Sequence, residues 1–132
     1  MATPIFRFVC VPGALDGAPA GWAAGMLRDG DVSLLVDDGG MAAITAVAHS
    51  LDLLAVRVVR GEATPAAHEQ TVMAHAASLP LVWLSSSFGD EARGWARRRG
   101  PMTLLVEVDG AVSDDERRRI DRFVALLGRQ AE

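Results

Sequence analysis

The chain has 132 residues, half of them apolar, with 13 basic and 17 acidic side chains and a net charge of −4. That length sets the expectation of one domain over residues 1–132, long enough to bury a core. The acidic balance argues against a dedicated nucleic-acid binder. All the cations are Arg; the absence of Lys excludes Schiff-base chemistry and a phosphate-binding lysine.

Ile5 to Val11 is rich in β formers and predicts a first strand, ended by Pro12-Gly13. The lone Cys10 in that strand excludes an internal disulfide framework and reads as packing. Gly17 to Leu27 predicts a helix, and Val32 to Val36 a second strand ending in Asp37-Asp38-Gly39-Gly40. Met41 to Leu51 fits two structures. As a helix, Met41, Ile44, Ala48 and Leu51 form an apolar stripe. As a strand, Gly39-Gly40 becomes a hairpin turn, and Ile44, Thr45 and Val47 supply β-branched residues.

Leu53 to Val59 predicts a strand. Thr64 and Pro65 then suit the cap and first position of a helix reaching about Ser78. Leu81 to Leu84 is a buried strand, followed by Ser85-Ser86-Ser87. Asp90-Glu91 open a short helix and Arg97-Arg98-Arg99 close it, an order that suits the helix dipole. Met102 to Val108 predicts the last strand. In the final helix Ser113 and Glu116 form a capping box, and Ile120, Phe123, Val124 and Leu127 form one apolar face. Asp114–Arg118, Asp115–Arg119 and Arg117–Asp121 are expected as charge pairs four residues apart.

Several residues could carry chemistry. Asp37 or Asp38 could join Glu62, Glu107 or Asp109 to hold Mg²⁺ through oxygen ligands, though Asp before Gly-Gly is also ordinary turn chemistry. Ser85 and Ser86 precede a helix start whose N–H groups could hold an anion; neither has a histidine nearby in sequence to act as base. His68 and His75, seven apart on one helix, are poorly placed to share a metal. No apolar run approaches the length of a membrane span and no leader is evident, so a cytoplasmic location with no membrane partner is expected.

The block Ser86 to Ala96, with its Phe88-x-x-x-Ala92 helix start, and Leu104 to Gly110, ending in Asp109-Gly110, resembles the C-terminal part of the Mrr-type restriction endonuclease domain. Asp38-Gly39-Gly40 resembles that family's turn after its first core strand, and Ala55 to Arg60 occupies the place of its central strand. The resemblance runs from about Leu27 to Gly110. It implies a restriction-endonuclease-like single-domain α/β fold: a mixed sheet with flanking helices, beginning with three antiparallel strands. It also implies that the family's chemistry is missing. The expected acidic ligand position holds Ala42, and the Gln-or-Glu and Lys positions hold Arg57 and Val59. Without a ligand carboxylate or lysine, metal-assisted hydrolysis has no machinery, and Arg60 cannot act as a base near neutral pH.

On this reading the chain is a catalytically degenerate, non-enzymatic binding or assembly module. A homo-oligomeric or protein partner is expected ahead of nucleic acid, and Asp37, Asp38, Arg57, Arg60, Ser85 and Ser86 line a vestigial site. The alternative makes Met41 to Leu51 a helix. The chain is then a flavodoxin-like doubly wound sheet of five parallel strands, binding a nucleotide or phosphate at the strand C-terminal edge, with enzymatic activity open. No cofactor is required by either reading, Mg²⁺ entering only through Asp37 and Asp38.

Overall fold

The computed structural model describes residues 5–19, 21–22, 28, 30–36, 40–51, 56–59 and 64–131. Five strands form one sheet: β1 (Phe6–Cys10), β2 (Gly30–Leu35), β3 (Arg57–Val59), β4 (Leu81–Ser85) and β5 (Thr103–Glu107). Their order is β3-β2-β1-β4-β5, and every pairing is parallel. Parallel neighbours need crossovers; of the four α-helices among the described residues, three lie between consecutive strands and the fourth follows β5. These are α1 (Gly40–Ser50), α2 (Pro65–Ala76), α3 (Asp90–Arg99) and α4 (Asp114–Ala131).

The ambiguous segment is therefore a helix. The hairpin expected of residues 41 to 48 against β2 is absent, and the expected mixed sheet is corrected to an all-parallel one. The physical reason lies in the spacing of Ile44, Val47 and Leu51. Ile44 and Val47 are buried on one side of α1 and Leu51 just beyond its end, while the alanines between them favour a helix. β2 instead gains β3 as its outer neighbour. The strand order also differs from the flavodoxin arrangement, in which the chain reverses one strand earlier. It matches the first five strands of the doubly wound sheet that binds dinucleotides.

Apolar side chains alternate along the strands to fill a core on each face. Phe6, Phe8, Cys10, Val32, Leu34, Val82, Leu84 and Val106 face α1 and α4. Val9, Leu35, Val59, Leu81 and Trp83 face α2 and α3. Cys10 is fully buried, and burial holds its thiol protonated far above its usual range, as an inert packing group. Gly30 lies opposite Phe6 in the β1–β2 register, and a Cβ there would fall 2.4 Å from Phe6 Cζ.

Local signals set the helix ends. The Thr64 hydroxyl accepts from Ala67 N–H at 3.1 Å, with Pro65 opening α2. Ser113 and Glu116 make the reciprocal capping box at 3.2 and 2.7 Å. The charge pairs of α4 are spaced differently from expectation: Asp114 meets Arg117 and Asp115 meets Arg118, three residues apart rather than four. Among the described residues no helix is long and apolar enough to cross a membrane.

One polar cluster interrupts the α2 face. The Ser33 hydroxyl, fully buried on β2, lies 2.8 Å from His75 Nε2 on α2. Asp31 accepts from Arg57 Nε at 2.7 Å and lies 3.5 Å from Arg7 Nε. Burial lowers the His75 pKa, as do Arg7 and Arg57, against the opposing pull of Asp31. With the folded value depressed, the unfolded chain takes up the proton first as pH falls below about 6.5. Stability is therefore full above that pH and declines below it until the folded ring also protonates. Urea midpoints compared between pH 7.5 and pH 5.5 should fall more for the native chain than for His75→Gln, which keeps a hydrogen-bonding partner for Ser33 without the titration.

Candidate ligand site at the strand switch point

In a doubly wound sheet, ligands bind beyond the carboxyl ends of the strands, where successive crossovers diverge to opposite sides. Here that point lies between β1 and β4, with β2 and β3 on one side and β5 on the other. Five segments build the site.

After β1 the chain makes a 3-10 turn at Pro12–Leu15, burying Pro12, Ala14 and Leu15. Ala14 C=O accepts from Val112 N–H at 2.8 Å, which fastens the β1 exit to the loop after β5. After β4, the Ser85 hydroxyl donates to Ser87 C=O at 2.9 Å, and Ser85 C=O accepts from Val108 N–H at 2.9 Å. Phe88 anchors this loop: its ring is only 7 % exposed and meets Trp83 edge-on, with centroids 5.0 Å apart. Between these segments lies a cavity of about 200 Å³, lined by Val11, Leu35, His68, Leu84, Ser85, Ser86, Val108 and Gly110.

The cavity is mostly apolar, with His68 and the two serines as its polar groups. His68 comes from α2 and is half-buried. No hydrogen bond joins it to Ser85 or Ser86, so among the described residues the site shows no nucleophile–base pair of the kind a hydrolase uses. The Ser33–His75 pair has that geometry elsewhere, but Ser33 is sealed beneath α2, where no substrate carbon can reach it.

The helix start expected to cradle an anion already has one. Gly89 N–H, at the cap of α3, donates to the Glu69 carboxylate at 2.8 Å. Asp90 and Glu91 add two acidic residues to the same first turn, and Glu91 accepts from Gln70 at 2.6 Å. A phosphate placed there would meet a resident carboxylate rather than free N–H groups.

Of the residues singled out in the sequence, Ser85 and Ser86 stand at the cavity. Arg57 does not: it begins β3, three inter-strand spacings from β4, or about 14 Å. Its guanidinium is engaged by Asp31. Asp37, Asp38 and Arg60 lie outside the described residues, as does Glu62. Among the described residues no group of His, Cys, Asp or Glu is arranged to hold a metal ion. Glu107 pairs with Arg93. Sequence reasoning weighed His68 only as a metal ligand and did not single out Glu69, because their roles here exist only once α2 is packed beside the β4–α3 loop.

A larger groove, about 500 Å³, runs between α1 and β3 past Met41, Ile44, Thr45, Ala48, His49, Val56 and Val58. It lies at the sheet edge rather than at strand C-termini, and among the described residues Thr45 and His49 are its polar side chains. The switch-point cavity is smaller but has convergent polar groups and a position the topology explains. Comparisons with protein family models, curated proteins and solved structures found no match to this chain.

Proposed function

We propose that the chain is a small-molecule-binding α/β domain whose ligand occupies the cavity between the C-terminal ends of β1 and β4. The observation that carries this reading is the meeting of His68, Ser85 and Ser86 around an apolar pocket at the switch point. Volume limits the ligand: about 200 Å³ falls below the range of about 300–1,000 Å³ usual for drug-sized ligands. A dinucleotide does not fit, and the β1 exit lacks the Gly-x-Gly-x-x-Gly turn that would receive one. Glu69 at the α3 start opposes a multiply charged anion.

The ligand that fits has a compact apolar body against Val11, Leu35, Leu84 and Val108. Its head is a single hydrogen-bonding group, a carboxylate or a neutral oxygen, facing His68 and the serines. The role proposed for the site is binding; among the described residues none pairs an acid or base with a nucleophile there.

The degenerate-nuclease reading keeps only its motif block. Its three antiparallel strands have no counterpart among the described residues, and Phe88 and Ala92 of that block belong to the core beside Trp83. Packing alone accounts for the Phe-x-x-x-Ala spacing, because residues four apart share a helix face.

A thermal-shift screen with small monocarboxylic acids and uncharged fragments, run beside ADP and inorganic phosphate, tests the proposal. Fragments should raise the melting temperature, and the phosphates should leave it unchanged. Ser86→Trp, at an exposed position on the cavity lip, should abolish the fragment response without unfolding the protein. His68→Gln should weaken carboxylate binding about tenfold, the worth of one hydrogen bond to a charged group. A response to ADP that survives Ser86→Trp would contradict the assignment.

A further inference from the structure

We propose that the β5 edge is the contact surface of a two-fold symmetric dimer, in which β5 pairs antiparallel with β5 of a second copy of this chain.

The sheet has two edge strands, and they differ. β3 is three residues long, and Arg57 at its start is held by Asp31, so this edge is short and charged. Such features blunt strand addition. β5 is five residues long with Leu104-Leu105-Val106 at its centre, and the strand holds no proline or basic residue. Leu104 and Leu105 are only half-buried. Exposed Met102, 37 % accessible, immediately precedes the strand.

The hydrogen-bonding pattern sets a register. Val108 N–H points toward β4, where it bonds Ser85 C=O. In a parallel strand the groups alternate, so the N–H and C=O of Leu105 and Glu107 and the C=O of Thr103 point outward. Thr103 N–H is already bonded to Gly100 C=O. A two-fold axis through Leu105 makes the two copies of Leu105 exchange both of their bonds. It also lets Glu107 N–H of each copy donate to Thr103 C=O of the other.

Three further observations select a second copy as the occupant. First, Thr103 Oγ1 is buried without a hydrogen-bond partner. In this register Thr103 faces Glu107 of the second copy on the same side of the sheet, and a χ1 rotation turns its hydroxyl to that carboxylate. Second, α3 and α4 both pack on β5, and the axis sets each antiparallel to its mate. The acidic first turn of α3, Asp90 and Glu91, then meets the basic last turn, Arg97 to Arg99, of the other α3. The same holds for Asp114, Asp115 and Glu116 against Arg129 on α4. Third, Asp121 on one flank of α4 accepts from Trp22, which turns that flank toward β1. The opposite flank, carrying Phe123 and Leu126, therefore turns toward the β5 edge, and Leu126 is 54 % exposed.

The edge is about 17 Å long and, with a helix layer of about 10 Å on each face, about 30 Å deep, covering roughly 500 Å² per copy. That places the dimer at the low end of specific interfaces, among weak contacts.

Sedimentation equilibrium on the full chain, from about 1 to about 500 µM, covers the range of weak self-association. The average mass should rise from 14.0 kDa toward twice that value. Leu126→Glu, on an exposed position, should weaken association at least tenfold and leave the urea midpoint unchanged. Leu105→Pro, which removes an outward N–H that β4 does not use, should abolish it. A mass of 14.0 kDa throughout overturns the proposal, as does a dimer that survives both substitutions or one that is lost on Val58→Glu at the other edge.

Discussion

Replacing Phe88 by alanine should lower the stability of the protein by about 3–5 kcal/mol, the range for truncating a buried aromatic side chain. Phe88 is nearly fully buried among Val9, Leu35, Val72, Met73, Trp83 and Ala92. Its edge-on contact with Trp83 adds about 0.5–1.5 kcal/mol to plain area burial. The effect reaches beyond stability, because Phe88 holds down the loop that carries Ser85 and Ser86. Arg93 Nε donates to Phe88 C=O at 3.3 Å, and Gly89 N–H is bonded to Glu69, so neighbouring contacts depend on the same anchor. Phe88→Ala should therefore reduce fragment affinity as well as the urea midpoint. Phe88→Leu, which keeps most of the volume, should recover most of both. A Phe88→Ala protein with an unchanged midpoint would show that the loop is not seated as described.

Proline at position 46 should cost about 3 kcal/mol or more. Ala46 lies in the middle of α1 and is exposed, so the substitution removes no packing. It acts through the backbone: a helical hydrogen bond is lost, and the ring clashes with the preceding turn. In a domain of this size the loss corresponds to a melting temperature lower by on the order of 10 °C. Ala46→Gly provides the comparison, at about 1 kcal/mol from helix propensity. Were residues 41 to 48 an outer strand, proline at a solvent-facing position would be tolerated far better. The ratio of the two effects thus distinguishes the helix from the hairpin without a structure determination.

Much of the architecture was legible where one local rule dominated. The Ser113–Glu116 box, the Thr64-Pro65 start of α2 and the Ile120-Phe123-Val124-Leu127 face each rest on residues within a few positions of one another, and each formed. Residues 41 to 51 were not decidable because the alanines suit a helix while the β-branched Ile44, Thr45 and Val47 suit a strand. What decides is the destination of β3: once it pairs parallel to β2, a crossover is required and the segment must be a helix. The resemblance to the nuclease domain drew on Phe88 and Ala92, which any strand–loop–helix unit packed on a sheet would place in this way. The candidate site was legible only at Ser85 and Ser86. Arg57 looked like a site residue because it follows the motif spacing, but its strand starts on the far side of the sheet, where Asp31 engages it. His68 lies in a helix with little amphipathic contrast, and only the packing of α2 beside the strand ends brings it to the cavity.

The central claim, a small-ligand site between β1 and β4, is tested most directly by titrating the best monocarboxylic fragment into ¹⁵N-labelled protein and following the backbone amides. The expected result is saturable shifts centred on Val11, His68, Ser85, Ser86 and Gly110, lost in Ser86→Trp. Shifts centred on the α1–β3 groove at Met41 and Val58, or on the Arg7, Arg57 and His75 cluster, would contradict it.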